Sequence, residues 1–149
     1  MAQKRRQRLS PLNLSPAARL QLTFERVKRF VSRAGPGFFG LSDVTLNVGC
    51  KEILKFRQGH PGVVGDRAFM HVEGSDRVIC AAADAGKLSD SYQVGLILHE
   101  FGHIGSGGGE QAADEWVLVN FGIMLHYMGP LEVEWVSAKD LSRVLGRRA

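Results

Sequence analysis

The chain is short of the features that mark several large classes of protein. Its 149 residues hold two cysteines, Cys50 and Cys80, too few for a disulfide framework and in keeping with free thiols in a reducing compartment. No apolar run approaches the roughly 20 residues needed to cross a bilayer. No secretion signal is visible, because the basic start gives way to Pro11, Leu12, Asn13 and Leu14 rather than to an apolar stretch. A soluble cytoplasmic chain is therefore expected. There is also no phosphate-cradling glycine loop, CxxC pair, nucleophile elbow or internal repeat.

What is present suits one modest core: 44% hydrophobic residues and a net charge of +4. Much of that charge is local. Lys4, Arg5, Arg6 and Arg8 sit at one end and Arg147 and Arg148 at the other, a pattern typical of solvated tails. No aromatic residues interleave with them, so no specific nucleic-acid partner is expected. Residues 1–13 read as a disordered basic lead and residues 14–149 as a single domain.

Periodicity places the elements. Ser15 and Pro16 open a helix on which Leu20, Phe24, Val27 and Val31 recur at helical spacing, ending near Gly35-Pro36-Gly37. Val44 to Val48 alternates as a strand, and both cysteines fall in strand-like segments. Gln58 to Asp66 reads as a loop. Ala68 to Val72 and Arg77 to Ala82 form a hairpin pair about Glu73-Gly74-Ser75-Asp76. A helix capped at Ser89 or Asp90 runs to about Ile104 and stops at the glycine run 105–109. A second runs from Glu110 to Met128, broken by Gly129-Pro130, and a last amphipathic helix spans about Ser137 to Leu145. The fold class is α+β with a small mixed or antiparallel sheet.

Chemistry concentrates in His99-Glu100-Phe101-Gly102-His103. Residues four apart share a helix face, about 5–6 Å apart at Cβ, so two imidazoles can reach one zinc ion. Glu100 projects beside them, where a carboxylate can act as general base on the metal's water. A shuffled chain with five His and eight Glu would hold this pattern about once in a hundred, so the surroundings matter. Val94, Ile97, Leu98 and Phe101 make the rest of the helix apolar. Gly95 and Gly102 share a face that would let a neighbour approach closely. The glycine run allows a sharp return, and the next helix opens with Glu110-Gln111-Ala112-Ala113-Asp114. Glu110 is then the candidate third ligand, and Asp114, one turn on, can orient a liganding imidazole. Asp114 competes for the ligand role, and Glu115 and His126 do so more weakly.

HEFGH followed by EQAAD resembles the gluzincin clan of zinc metallopeptidases. ExxAD is similar to the form in the CAAX prenyl endopeptidases, and HExGH with a close ExxA-N/D resembles the small ImmA/IrrE-type peptidases. The match covers residues 99–114. It implies a minimal zincin that cleaves protein or peptide substrates with one zinc ion. His99, His103 and Glu110 would be its ligands, Glu100 catalytic and Asp114 behind the ligands. It departs from typical gluzincins in having only six residues between His103 and Glu110, and it lacks the membrane spans of the prenyl endopeptidases.

In zincins the last antiparallel strand before the active helix lines the cleft, a place taken here by Arg77 to Ala82, where an extended peptide could add. His126, Tyr127, Tyr92 and Arg77 are candidates to face an oxyanion. His60 and His71 read as loop and strand residues rather than ligands. Two rival readings stand beside the peptidase: a non-catalytic zinc protein, and a binding module acting through its basic tail.

Overall fold

Five helices and a three-stranded sheet make up the computed structural model, which describes residues 14–33, 36–61, 66–73, 77–125 and 135–146. The basic lead, the tip of the hairpin, His126, Tyr127 and the Gly129-Pro130 break lie outside these residues.

Helix α1 is Pro16–Arg33, and its apolar stripe of Leu20, Phe24, Val27 and Val31 is buried along its whole length. Its first turn is anchored by Arg19, which donates to the Gly86 and Leu88 carbonyls and to Asp90 Oδ1 at 2.6 Å. A 3-10 segment, Pro36–Asp43, leads to strand β1, Thr45–Val48. Helix α2, Lys51–Gly59, follows immediately and was not expected from the sequence pattern. Strands β2, Met70–Val72, and β3, Val78–Ala81, then form the expected hairpin pair.

The strand order is β1-β3-β2, with β1 parallel and β2 antiparallel to β3. The sheet is therefore mixed, with β3 in its centre. Ile79 and Ala81 face the main core, together with Met70, α1 and the later helices, whereas Cys80 and Ala82 face α2 and its buried Ile53. Cys50 is not in a strand: it is the residue on which α2 begins, with extended backbone and no capping side-chain bond.

Helix α3, Asp90–Ser106, is capped by Ser89, whose hydroxyl accepts from the Tyr92 amide. Every residue from Ser91 to Gly102 is buried, so this is the central element of the molecule, and Phe101 stacks on Phe24 of α1 at 5.9 Å. Helix α4, Glu110–Phe121, returns against it, and α5, Ala138–Leu145, closes the far side against α1 and α3. Just before α5, Trp135 lies on Gly95 of α3, where an added Cβ would stand 2.3 Å from the Trp135 Cβ. Ser91 Oγ holds the same segment, donating to the Val136 carbonyl and accepting from its amide. No described helix is long and apolar enough to cross a membrane.

Candidate metal centre

The relation between α3 and α4 is set by glycine. A Cβ on Gly102 would lie 2.4 Å from the Ala113 carbonyl oxygen, so the helices approach to backbone contact there. Gly105 does the same for Trp116, whose ring would be 2.2 Å from an added Cβ. That packing explains why α3 does not stop at Gly105 as expected but continues through Ser106. The turn comes at Gly107, in left-handed conformation at φ 68°, with its amide bonded to the His103 carbonyl. Three glycines, 107–109, then suffice to reverse the chain.

This reversal brings His99, His103, Glu110 and Asp114 together. The fully buried His99 donates from Nδ1 to Asp114 Oδ1 at 2.7 Å. His103 donates from Nδ1 to the Gly108 carbonyl at 2.9 Å, and a carbonyl oxygen can only accept. Both rings in their neutral form thus carry the proton on Nδ1 and present the Nε2 lone pair. The two Nε2 atoms lie 3.1 Å apart. The Glu110 carboxylate meets them, with Oε2 3.2 Å from His99 Nε2 and Oε1 2.8 Å from His103 Nε2.

Two lone pairs and a carboxylate pointing at one another need a cation between them, either a proton or a metal. Tetrahedral zinc with bonds of about 2.0–2.1 Å would set its nitrogen and oxygen ligands about 3.3 Å apart, close to the separations found here. The donor set therefore suits zinc, with small outward adjustments. Glu100, 1% exposed, belongs to the same cluster: a carboxylate oxygen and one nitrogen from each histidine lie within 4.8 Å of one another.

A cavity of about 380 Å³ opens on this cluster. Glu100, His103 and Glu110 line one side and Met70, His71 and Val72 of β2 the other. The cleft strand is thus β2, not Arg77 to Ala82. The expectation for that run fails because β3 is hydrogen-bonded to a neighbour on both sides, which leaves no main-chain edge for a peptide. Arg67, exposed on the 3-10 turn before β2, also lines the cavity; no sequence pattern marked it.

Other candidates lie elsewhere. Tyr92 is 1% exposed, packed against Phe69 and Trp135, and Arg77 is paired with Asp43 and the Gly40 carbonyl. Neither lines the cavity. Glu115 is exposed and accepts from Gln111. His60 stacks on Phe56 with its ring centre 4.4 Å away.

His71 is different, because Cys50, His71 and Cys80 form a second group of side chains able to hold a metal ion among the described residues. Both cysteines are free thiols. Burial, and hydrogen bonding to Glu73, push the Cys80 thiol up to about 12. The reading of His71 as a plain strand residue missed this group, whose members sit on three elements that only the strand register brings together.

Compared with the profiles of known protein families, with curated proteins and with solved structures, the chain finds no significant match.

Proposed function

We propose that this protein is a zinc-dependent metallopeptidase in which His99, His103 and Glu110 hold the metal and Glu100 is the general base. The observation that carries the reading is the meeting of two imidazole Nε2 atoms and a carboxylate within 3.2 Å of one another, on a cavity wall that Glu100 shares. Zinc, when bound, supplies Lewis-acid polarisation of a carbonyl and acidifies a neighbouring water.

Glu100 would take a proton from a water in the cavity as that water's oxygen adds to the scissile carbonyl carbon. The same carboxyl then delivers the proton to the amine nitrogen as the C–N bond breaks. Asp114 holds His99 in the tautomer that leaves Nε2 open. Arg67, which lines the cavity, is the cation available to a developing oxyanion.

The substrate side is supported by β2. It is an edge strand beside the cavity, antiparallel to its only neighbour among the described residues. An extended peptide added to that edge gains main-chain hydrogen bonds with little demand on its sequence.

The test compares wild type with Glu110→Ala for zinc content by elemental mass spectrometry, and with Glu100→Gln for hydrolysis of a peptide library. Glu110→Ala is expected to lose about one equivalent of zinc, since two imidazoles alone make a weak site. Glu100→Gln is expected to keep its zinc and to hydrolyse about 10²–10⁴-fold more slowly. Zinc retained in full by Glu110→Ala removes the ligand set. Unchanged hydrolysis in Glu100→Gln removes Glu100 as the base, and none in wild type leaves the metal with a purely stabilising role.

A further inference from the structure

The sheet face opposite the main core carries a cluster that the peptidase reading does not use. Strand register places His71 of β2 directly opposite Cys80 of β3, and Asn47 of β1 on Cys80's other side. Cys50 enters from the β1–α2 junction, with its Sγ 3.1 Å from His71 Nε2. One donor atom from each of Cys50, His71 and Cys80 lies within 4.8 Å of the others. The thiols are 5% and 2% exposed, while His71 is half-buried and borders a second cavity of about 280 Å³ that also reaches Glu52. The Glu52 carboxylate stands 3.7 Å from His71 Nε2.

We propose that Cys50, His71 and Cys80 form a second metal site, selective for a thiolate-preferring divalent cation of the zinc type. Two sulfurs and an imidazole nitrogen are the donors such ions take, in preference to the all-oxygen sets of magnesium and calcium. Tetrahedral bonds of about 2.3 Å to sulfur and 2.0–2.1 Å to nitrogen set the ligands roughly 3.5–3.8 Å apart. The present separations reach that with movements of about 1 Å or less. On binding, each thiol gives up its proton to solvent and both sulfurs become thiolates.

Burial and the Glu73 carboxylate, 3.1 Å from Cys80 Sγ, oppose this charge change, so the bound cation must offset them; one neighbour assists it. The Asn47 amide nitrogen is 3.7 Å from Cys80 Sγ, in position to donate to a thiolate. Glu52, on the cavity side, is the adjacent carboxylate for the fourth position. The site would fasten β2, β3 and the start of α2 through side chains. Because His71 is on the strand that borders the peptidase cavity, it would also fix that wall. None of its ligands belongs to the His99 cluster, so the two sites stand or fall separately.

Cobalt(II) distinguishes them, because only thiolate ligands give the intense near-ultraviolet sulfur-to-cobalt charge-transfer band. Reduced wild-type protein loaded with cobalt is expected to show this band. Cys80→Ser is expected to reduce it to about half or less, and His71→Gln to weaken cobalt binding about tenfold or more. Should the buried Cys80→Ser fail to fold, as judged by circular dichroism, the half-buried His71→Gln carries the same test. Absence of the band from folded, reduced wild type overturns the proposal, whatever the His99 cluster binds. So does a band that Cys80→Ser leaves unchanged, and so does recovery of Cys50 and Cys80 as a disulfide from protein prepared without reductant but with zinc.

Discussion

Asp114 shows how much a single side chain can do from behind a candidate metal ligand. Its carboxylate accepts from His99 Nδ1 at 2.7 Å, so it decides which imidazole nitrogen faces Glu110 and His103. Substitution by alanine would leave a fully buried imidazole to choose its own tautomer. Asp114 itself is only partly buried, and the fold should tolerate the change. Asp114→Ala is expected to bind zinc about 10–100-fold more weakly, as read by competition with a chromophoric chelator. Unaltered affinity would mean that the His99 ring is held by packing, with the near-perpendicular Trp135 ring, its centre 6.3 Å from that of His99, as the contact responsible.

At the scale of elements, the α3–α4 pair depends on Gly102. A methyl group there would press on the Ala113 carbonyl at 2.4 Å, and both partners are backbone that can yield only by moving a helix. Gly102→Ala should therefore destabilise the protein by about 1–3 kcal/mol, lowering Tm by roughly 2–4 °C per kcal/mol. The same displacement would carry Glu110 away from the histidines. Thermal denaturation measures the first effect, and an unchanged Tm would show that the helices have room.

Much of this pair was legible in the sequence, since Gly102 announced close packing and Ser89 was one of the two residues expected as the cap. Other elements were not legible, for physical reasons. Helix α2 is nine residues long, buries one residue, Ile53, and starts at Cys50 without a capping side chain, so it has neither a stripe nor a start signal. Helix α4 ends at Phe121 with Gly122 left-handed at φ 70°. The apolar residues Ile123 and Leu125 beyond it are buried and carried the apparent pattern onward. The central place of β3 rests on a parallel pairing of Thr45 with Val78, 33 positions on, which alternation within a strand cannot reveal. Separation of the same kind hid the cluster at Cys50, His71 and Cys80. The convergence of His99, Glu100, His103, Glu110 and Asp114 was visible because sixteen consecutive residues contain all of them.

Over the whole molecule, the link between α2 and the approach to α3 is ionic. Arg57 donates through both terminal nitrogens to Asp84 at 2.8 Å and through Nε to the Ala68 carbonyl. The guanidinium holds the Asp84 carboxyl below its ordinary value of 3.8. A depressed pKa in the folded state gives stability that is present above 3.8 and lost as acid titrates the carboxylate below it. The pair is partly exposed, so the effect is reduced by solvent. Asp84→Asn should have a lower Tm than wild type near neutrality, with the gap closing below that value; melting curves over a pH series decide it, and a gap independent of pH would assign the bond no ionic part.

The edge strand beside the cavity has its own arithmetic. β2 is three residues long, which allows an added peptide about two to four main-chain hydrogen bonds, each contributing about 0.5–1.5 kcal/mol. Such an edge by itself holds a peptide at roughly millimolar strength. Residence would be brief and, on the peptidase proposal, departure of the cleaved halves quick; any lasting grip must come from side chains seated in the cavity.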